Sequence, residues 1–176
     1  MTNIYVVGVG MTPFGKFRDK TVKEMTSESV NAALKDAGLT AEAIEGAFFS
    51  NATQGHMEGQ HMIRGEIALR EMGIQGIPVV NVENACASAS TGFKLAVDFL
   101  KAGNGDVCLA VGSEKMFSDD RKLMFSAFDS GWDVSDNKGV AEQLMALGAG
   151  IEEPEGSKSP GTIRRRVGQK PYPFGA

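Results

Sequence analysis

The chain has 176 residues, 42% of them apolar and 23% charged, with a formal net charge of −4. These are the proportions of an ordinary soluble globular protein with room for one real core. The acidic balance argues against a nucleic-acid partner for its body.

Residues 4–10, "IYVVGVG", are almost continuously apolar and β-branched, which predicts a strand covered on both faces. The start lacks a basic leader, and its apolar run is too short for a signal peptide or membrane span. Thr21 opens "TVKE", a capping box at the head of a predicted helix. Val22, Met25, Val30, Ala33, Leu34 and Ala37 recur along it at helical spacing, and Gly38 stops it. "AIEGAFFSN", from Ala43, predicts a second strand. A second helix is expected over about 58–72, with Met62, Ile63, Ile67 and Met72 on one side. "IPVVNVEN" predicts a third strand with Pro78 at its entrance, where a ladder N–H is least missed.

"NVENACASASTGFKLAVDF" follows, holding Cys86 between that strand and a helix whose Phe93, Ala96, Val97 and Leu100 share a face. "AGNG" ends this helix, and "VCLAVGSEKM" predicts a fourth strand. Strands alternating with helices through short connections predict an α/β fold with a mostly parallel sheet. After Met116 the pattern loosens. "FSDDRKLMFSAFDSGWDVSDNK" reads either as an inserted loop domain over a ligand or as a poorly ordered excursion, and "GVAEQLMALGAG" as a short helix.

Charge is spread unevenly. All 22 acidic residues precede Gly156, whereas Arg164, Arg165, Arg166 and Lys170 lie in a final stretch without any. Residues 1–160 therefore hold 14 of the 18 cations against 22 acids, a balance of −8. "GTIRRRVGQKPYPFGA" has no cap and no alternation, and reads as a tail that is solvent-exposed or binds anions.

The two cysteines invite opposite readings. A thiol at the first turn of a helix meets unpaired N–H groups and the positive end of the helix dipole, both favouring the nucleophilic thiolate. Ala85, Ala87 and Ala89 leave room beside Cys86 for an acyl group, and nearby N–H groups are placed to stabilise a developing oxyanion. The alternative is that Cys86 is a small buried hydrophobe. Cys108, inside "VCLAV", reads as structural. So few thiols argue against a disulfide scaffold, and a reduced, cytoplasmic setting is expected.

"NVENACASASTGFKLAVDFLKAGNGDVCLAVGSEKM", with "YVVGVGMTPFGK" and the "GIPVVNVENACASAS" junction, resembles the nucleophile-helix half of the thiolase superfamily. The branch it is similar to is that of the sterol-carrier-protein-x thiolases and related acetyl-CoA acetyltransferases. The resemblance covers about residues 3–160. It implies a thiolase-like N-terminal α/β domain over 1–116, a loop-domain segment over 117–160, and a non-family basic tail over 161–176.

The resemblance also implies that Cys86 attacks an acyl-CoA carbonyl and carries the acyl group as a thioester. That group then passes to coenzyme A, or to an acetyl-CoA carbanion. Coenzyme A and acyl-CoA are substrates, and no metal or redox cofactor is implied. The family's second half, with its catalytic histidine, second cysteine and asparagine–histidine oxyanion element, has no match here. His56 and His61 fall in "GHMEGQHM" and read as surface or helix-start residues, without the third ligand a metal site needs.

The change at Gly161 is what a premature end or altered reading frame produces. The expected function is thiolase-type acyl transfer, incomplete in the isolated chain. The alternative is a non-catalytic or truncated subunit acting as a structural partner. A homo-oligomer, or a partner chain supplying the second half, is expected, because a lone half leaves an apolar face uncovered.

Overall fold

A computed structural model describes residues 3–147 of the chain. The basic tail, residues 161–176, and the end of the short terminal helix expected over 139–150 lie outside the described residues. Two compact units divide between Met124 and Phe125.

In the first unit, helix α1 spans Val22–Ala37. Its capping box is complete: Glu24 N–H donates to Thr21 Oγ1 at 3.1 Å, and Thr21 N–H donates to Glu24 Oε2 at 2.7 Å. Gly38 ends it at φ 67°, a left-handed turn that glycine adopts without strain, and Leu39 N–H reaches back to the Leu34 carbonyl at 2.9 Å.

Among the described residues the sheet has three parallel strands in the order β2-β1-β3, with β1 Gly46–Ser50, β2 Val79–Val82 and β3 Cys108–Gly112. In register, Phe48 pairs with Val80 on one side and Ala110 on the other. All five residues of β1 are buried, as a central strand covered on both faces requires.

Alternation along β1 divides the core. Ala47 packs with Val30, Leu34, Leu69 and Leu109, and Phe49 with Val22, Met25 and Ala68. This is the face covered by α1 and by the short helix α3, Arg64–Arg70. Phe48 faces the other way, against helix α4, Ser88–Lys101, where it joins Val82 and Ala96 and meets the Phe99 ring edge-on at 6.0 Å. Gly92 brings α4 close to the sheet: a Cβ there would lie 2.5 Å from Ser50 Oγ. Glu45 fastens the start of β3, its Oε2 accepting the N–H groups of Asp106 at 2.6 Å and Val107 at 3.0 Å.

Three sequence expectations are corrected. Residues 3–10 form no strand. They lie against α1, where Val9 N–H donates to Asp36 Oδ2 at 2.9 Å and Gly8 and Gly10 approach the backbone of Ala33 and Ser29. Missing side chains at those two glycines admit this approach, and Tyr5, Val6, Val7 and Val9 stay exposed.

The second expected helix is shorter than 58–72. A five-residue helix α2, Gln54–Glu58, ends at Gly59, and α3 starts only at Arg64. Between them Met62 and Ile63 are exposed, and Ile63 takes φ 46°, outside any helix.

On α4, Phe93 is 51% exposed while Ser88, Gly92 and Ala96 make the buried stripe. Small residues win that face because the helix sits so close to β1.

The loosened segment after Met116 contains helix α5, Arg121–Ser126. In the second unit, single 3-10 turns at Ala127–Gly131 and Val134–Asp136 precede helix α6, Asn137–Ala146. Asp133 and Asp136 organise this entry. Asp133 Oδ1 accepts Ser135 N–H at 2.9 Å, and Asp136 Oδ1 accepts Gly139 N–H at 3.0 Å.

Candidate functional site

In parallel α/β sheets the carboxyl ends of the strands are where side chains converge on ligands. Here β2 delivers Asn84–Ser88, β1 delivers Asn51, and β3 delivers Ser113 and Glu114 to that end.

The turn after β2 is tightly built. Asn84 takes φ −155° and ψ 48°, outside the extended and helical regions, and Ala85 then takes φ 46°, a left-handed conformation that strains an alanine. Residues Ala85–Ala87 make one 3-10 turn, and the α-helix begins at Ser88. Cys86 is therefore exposed and unbridged on a turn two residues ahead of α4, rather than in the helix's own first turn.

Side chains hold this turn from both sides. Ser88, only 5% exposed, accepts Asn84 N–H at 2.8 Å and donates to the Ala85 carbonyl at 2.7 Å. Glu83 Oε1 accepts Ala85 N–H at 2.6 Å. Asn84 Nδ2 donates to Thr91 Oγ1 at 3.0 Å, and Thr91 in turn donates to the Ala87 carbonyl at 2.9 Å. Beneath them Ser50 Oγ, at the end of β1, donates to the Ser88 carbonyl at 3.0 Å.

A second cluster joins β1 to β3. Asn51 is buried; its Nδ2 donates to the Ser113 carbonyl at 2.7 Å and to Glu114 Oε1 at 3.1 Å. Glu114 also accepts from Ala52 N–H at 2.8 Å, Thr53 N–H at 3.1 Å and the Thr53 hydroxyl. Arg64 Nη1 donates to Asn51 Oδ1 at 2.9 Å, and Asn51 N–H to the Val82 carbonyl at 3.2 Å. Backbone and side chain of this one residue thus tie the exit of β1 to those of β2 and β3.

Cys108 contrasts with Cys86. It is half-buried on edge strand β3, and burial pushes its thiol up to about 11, so it stays protonated near neutrality.

His56 lies exposed on α2, its Nε2 3.2 Å from the Leu123 carbonyl, and His61 is exposed in the loop that follows. Both belong to the segment between β1 and α3, not to the Cys86 turn. Sequence reading passed over Ser88, Asn51 and Glu114. Asn51 directly follows β1, Glu114 comes two residues after β3 and Ser88 begins α4, and those positions were the available signal.

A family model described as "Thiolase, N-terminal domain" matches residues 4–151. "Non-specific lipid-transfer protein-like 2" of Caenorhabditis elegans is 40% identical over 116 residues, 64% of this chain and 27% of that protein. The "Acetyl-CoA acetyltransferase" of Methanocaldococcus jannaschii is 32% identical over 136 residues, 76% of this chain and 34% of that protein. The crystal structure of Acat5 thiolase from Ascaris suum, in complex with coenzyme A, superposes with a TM-score of 0.57 at 20% identity. That likeness in fold covers 64% of this chain and 30% of the other. The chain thus spans 27% and 34% of the length of these two relatives.

Proposed function

The chain belongs to the thiolase family, whose N-terminal domain it matches over residues 4–151, and on that premise we propose that it is the nucleophile-bearing part of an acyl-CoA acyltransferase. Cys86 Sγ attacks the acyl carbonyl and holds the acyl group as a thioester, expelling coenzyme A from a simple acyl-CoA or, by breaking the C–C bond of a 3-oxoacyl-CoA, an acetyl-CoA carbanion that takes up the thiol's proton. Transfer to coenzyme A, or to an acetyl-CoA carbanion, frees the sulfur. The reaction needs no redox group, because acyl transfer leaves oxidation states unchanged.

The observation that carries this reading is the position of Cys86. It is exposed on a strained, hydrogen-bonded turn at the mouth of α4 and at the carboxyl end of the sheet. Short side chains at Ala85, Ala87 and Ala89 leave the sulfur open to a bulky thioester. A base must take the thiol proton, and such a base contributes about 10²–10⁴-fold to acyl-transfer rates. The two histidines of the chain lie on another segment, so a second polypeptide region supplies that base, and the isolated chain is slow.

A second reading, a non-catalytic thiolase-like subunit serving as a structural partner, draws support from the exposed apolar residues of the N-terminal segment. Tyr5, Val6, Val7 and Val9 present a surface that a second copy or another chain would cover.

Incubating the purified chain with acetoacetyl-CoA, followed by intact-mass and peptide spectrometry, separates the two. An acyl adduct on Cys86, absent in Cys86→Ser, supports the acyltransferase reading. No adduct, together with iodoacetamide labelling of Cys86 no faster than a free cysteine, removes it.

A further inference from the structure

Ser88 stands out among the groups around Cys86 because its one hydroxyl closes the turn from both directions. Its oxygen accepts Asn84 N–H at 2.8 Å, and its proton goes to the Ala85 carbonyl at 2.7 Å. The two partners bracket the peptide at which the chain reverses into φ 46°. An alanine in that conformation costs about 1–2 kcal/mol, and something must hold it there. The hydroxyl is placed to do so: it is buried, and its backbone is pinned from below by Ser50 Oγ at 3.0 Å. Thr91, one helical turn further on, completes the brace through Asn84 Nδ2.

We propose that Ser88 is a positioning residue for Cys86, its hydroxyl clasping Asn84 and Ala85 so that the thiol is held exposed on the turn ahead of α4. The proposal rests on the acyltransferase reading for its purpose, but not for its test. Without the clasp, Ala85 relaxes toward negative φ, and Cys86, the next residue, swings away from the helix mouth. Serine suits the position because its short side chain fits the buried site and makes both bonds, and two variants test this: threonine keeps the hydroxyl, while alanine removes it at almost unchanged volume.

The test compares alkylation of Cys86 and Cys108 by iodoacetamide in the full-length chain, resolved peptide by peptide, for wild type, Ser88→Ala and Ser88→Thr. Cys108, half-buried on β3, is an internal gauge of general loosening. Ser88→Ala removes both hydrogen bonds of the hydroxyl, and the Cys86 rate is expected to fall about tenfold. The Cys108 rate stays at its wild-type value, and Ser88→Thr restores most of the Cys86 rate. An unchanged or faster Cys86 in Ser88→Ala overturns the proposal. So does a parallel rise at Cys108, which means that Ser88 only holds the fold together. If wild-type Cys86 reacts like a free thiol, the acyltransferase reading fails by itself, while the ratio between variants still decides the role of Ser88.

Discussion

Ser50 and Ser88 lie 38 positions apart and meet where the central strand ends and α4 begins, the hydroxyl of the first donating to the carbonyl of the second at 3.0 Å. Both are buried. The contact is possible only because Gly92, one helical turn beyond Ser88, has no side chain to fill the gap.

Ser50→Ala is expected to lower stability by about 1 kcal/mol, the usual net worth of one buried neutral hydrogen bond. Gly92→Ala forces a Cβ to 2.5 Å from Ser50 Oγ and costs about 1–3 kcal/mol as overpacking. Because the clash is with the hydroxyl itself, the double variant should be less destabilised than the two single losses added together. Urea denaturation of the four proteins reads this coupling; strict additivity would mean that α4 does not rest on Ser50.

Ala85 holds φ 46°. Ala85→Gly removes the steric cost of that conformation and should raise stability by about 0.5–1 kcal/mol, while Ala85→Val, β-branched and intolerant of positive φ, should lower it by more. Thermal melts of the two variants should therefore move in opposite directions. A melt in which both fall would show that the turn is not left-handed.

Cys108 ionises near 11 because its thiol is half-buried, against 9.0 for an exposed one. A raised acid pKa means that the folded chain holds its proton where the unfolded chain has lost it. Stability should therefore fall as pH rises from about 9 to about 11. Cys108→Ala should flatten that part of the curve, as measured by denaturation midpoints at stepped pH. At neutral pH, alkylation should modify Cys86 well ahead of the half-buried Cys108, whose rate should rise to match only when the chain is unfolded.

Glu24 closes the capping box of α1, and the Thr21 backbone N–H it accepts holds its carboxyl below the usual value of 4.5. A lowered carboxyl pKa gives stability that is present above the unfolded value and disappears as pH falls through the folded one. Glu24→Gln should thus melt below wild type at pH 7, with the gap closing as pH drops below 4.5. A gap independent of pH would assign the loss to packing rather than to the cap.

The elements most legible in the sequence were those made by neighbours along the chain. Thr21 and Glu24 cap a helix three residues apart, Gly38 ends it, and "GAFFS", "VVNV" and "CLAVG" form the strands expected of them. Cys86 was legible as a thiol between strand and helix, although the 3-10 turn that displaces it from the helix proper was not. "IYVVGVG" misled for a physical reason: local residues set strand propensity, but a strand exists only where another backbone completes its ladder. Phe93 misled similarly, because apolar periodicity alone does not say how close the sheet will come.

Periodicity and short motifs were enough to establish an α/β chain with one thiol set apart from the other, since each of these signals is carried within a few residues, while the thiolase assignment came from resemblance to a family. The packing of α4's small-residue stripe on β1, the binding of the three strand exits through Asn51 and Glu114, and the hydrogen bond from Ser50 to the Ser88 carbonyl emerged only on folding. They join groups tens of residues apart, and hydrogen bonds at 3 Å are set by how closely helix and sheet pack, which no single stretch of the chain encodes.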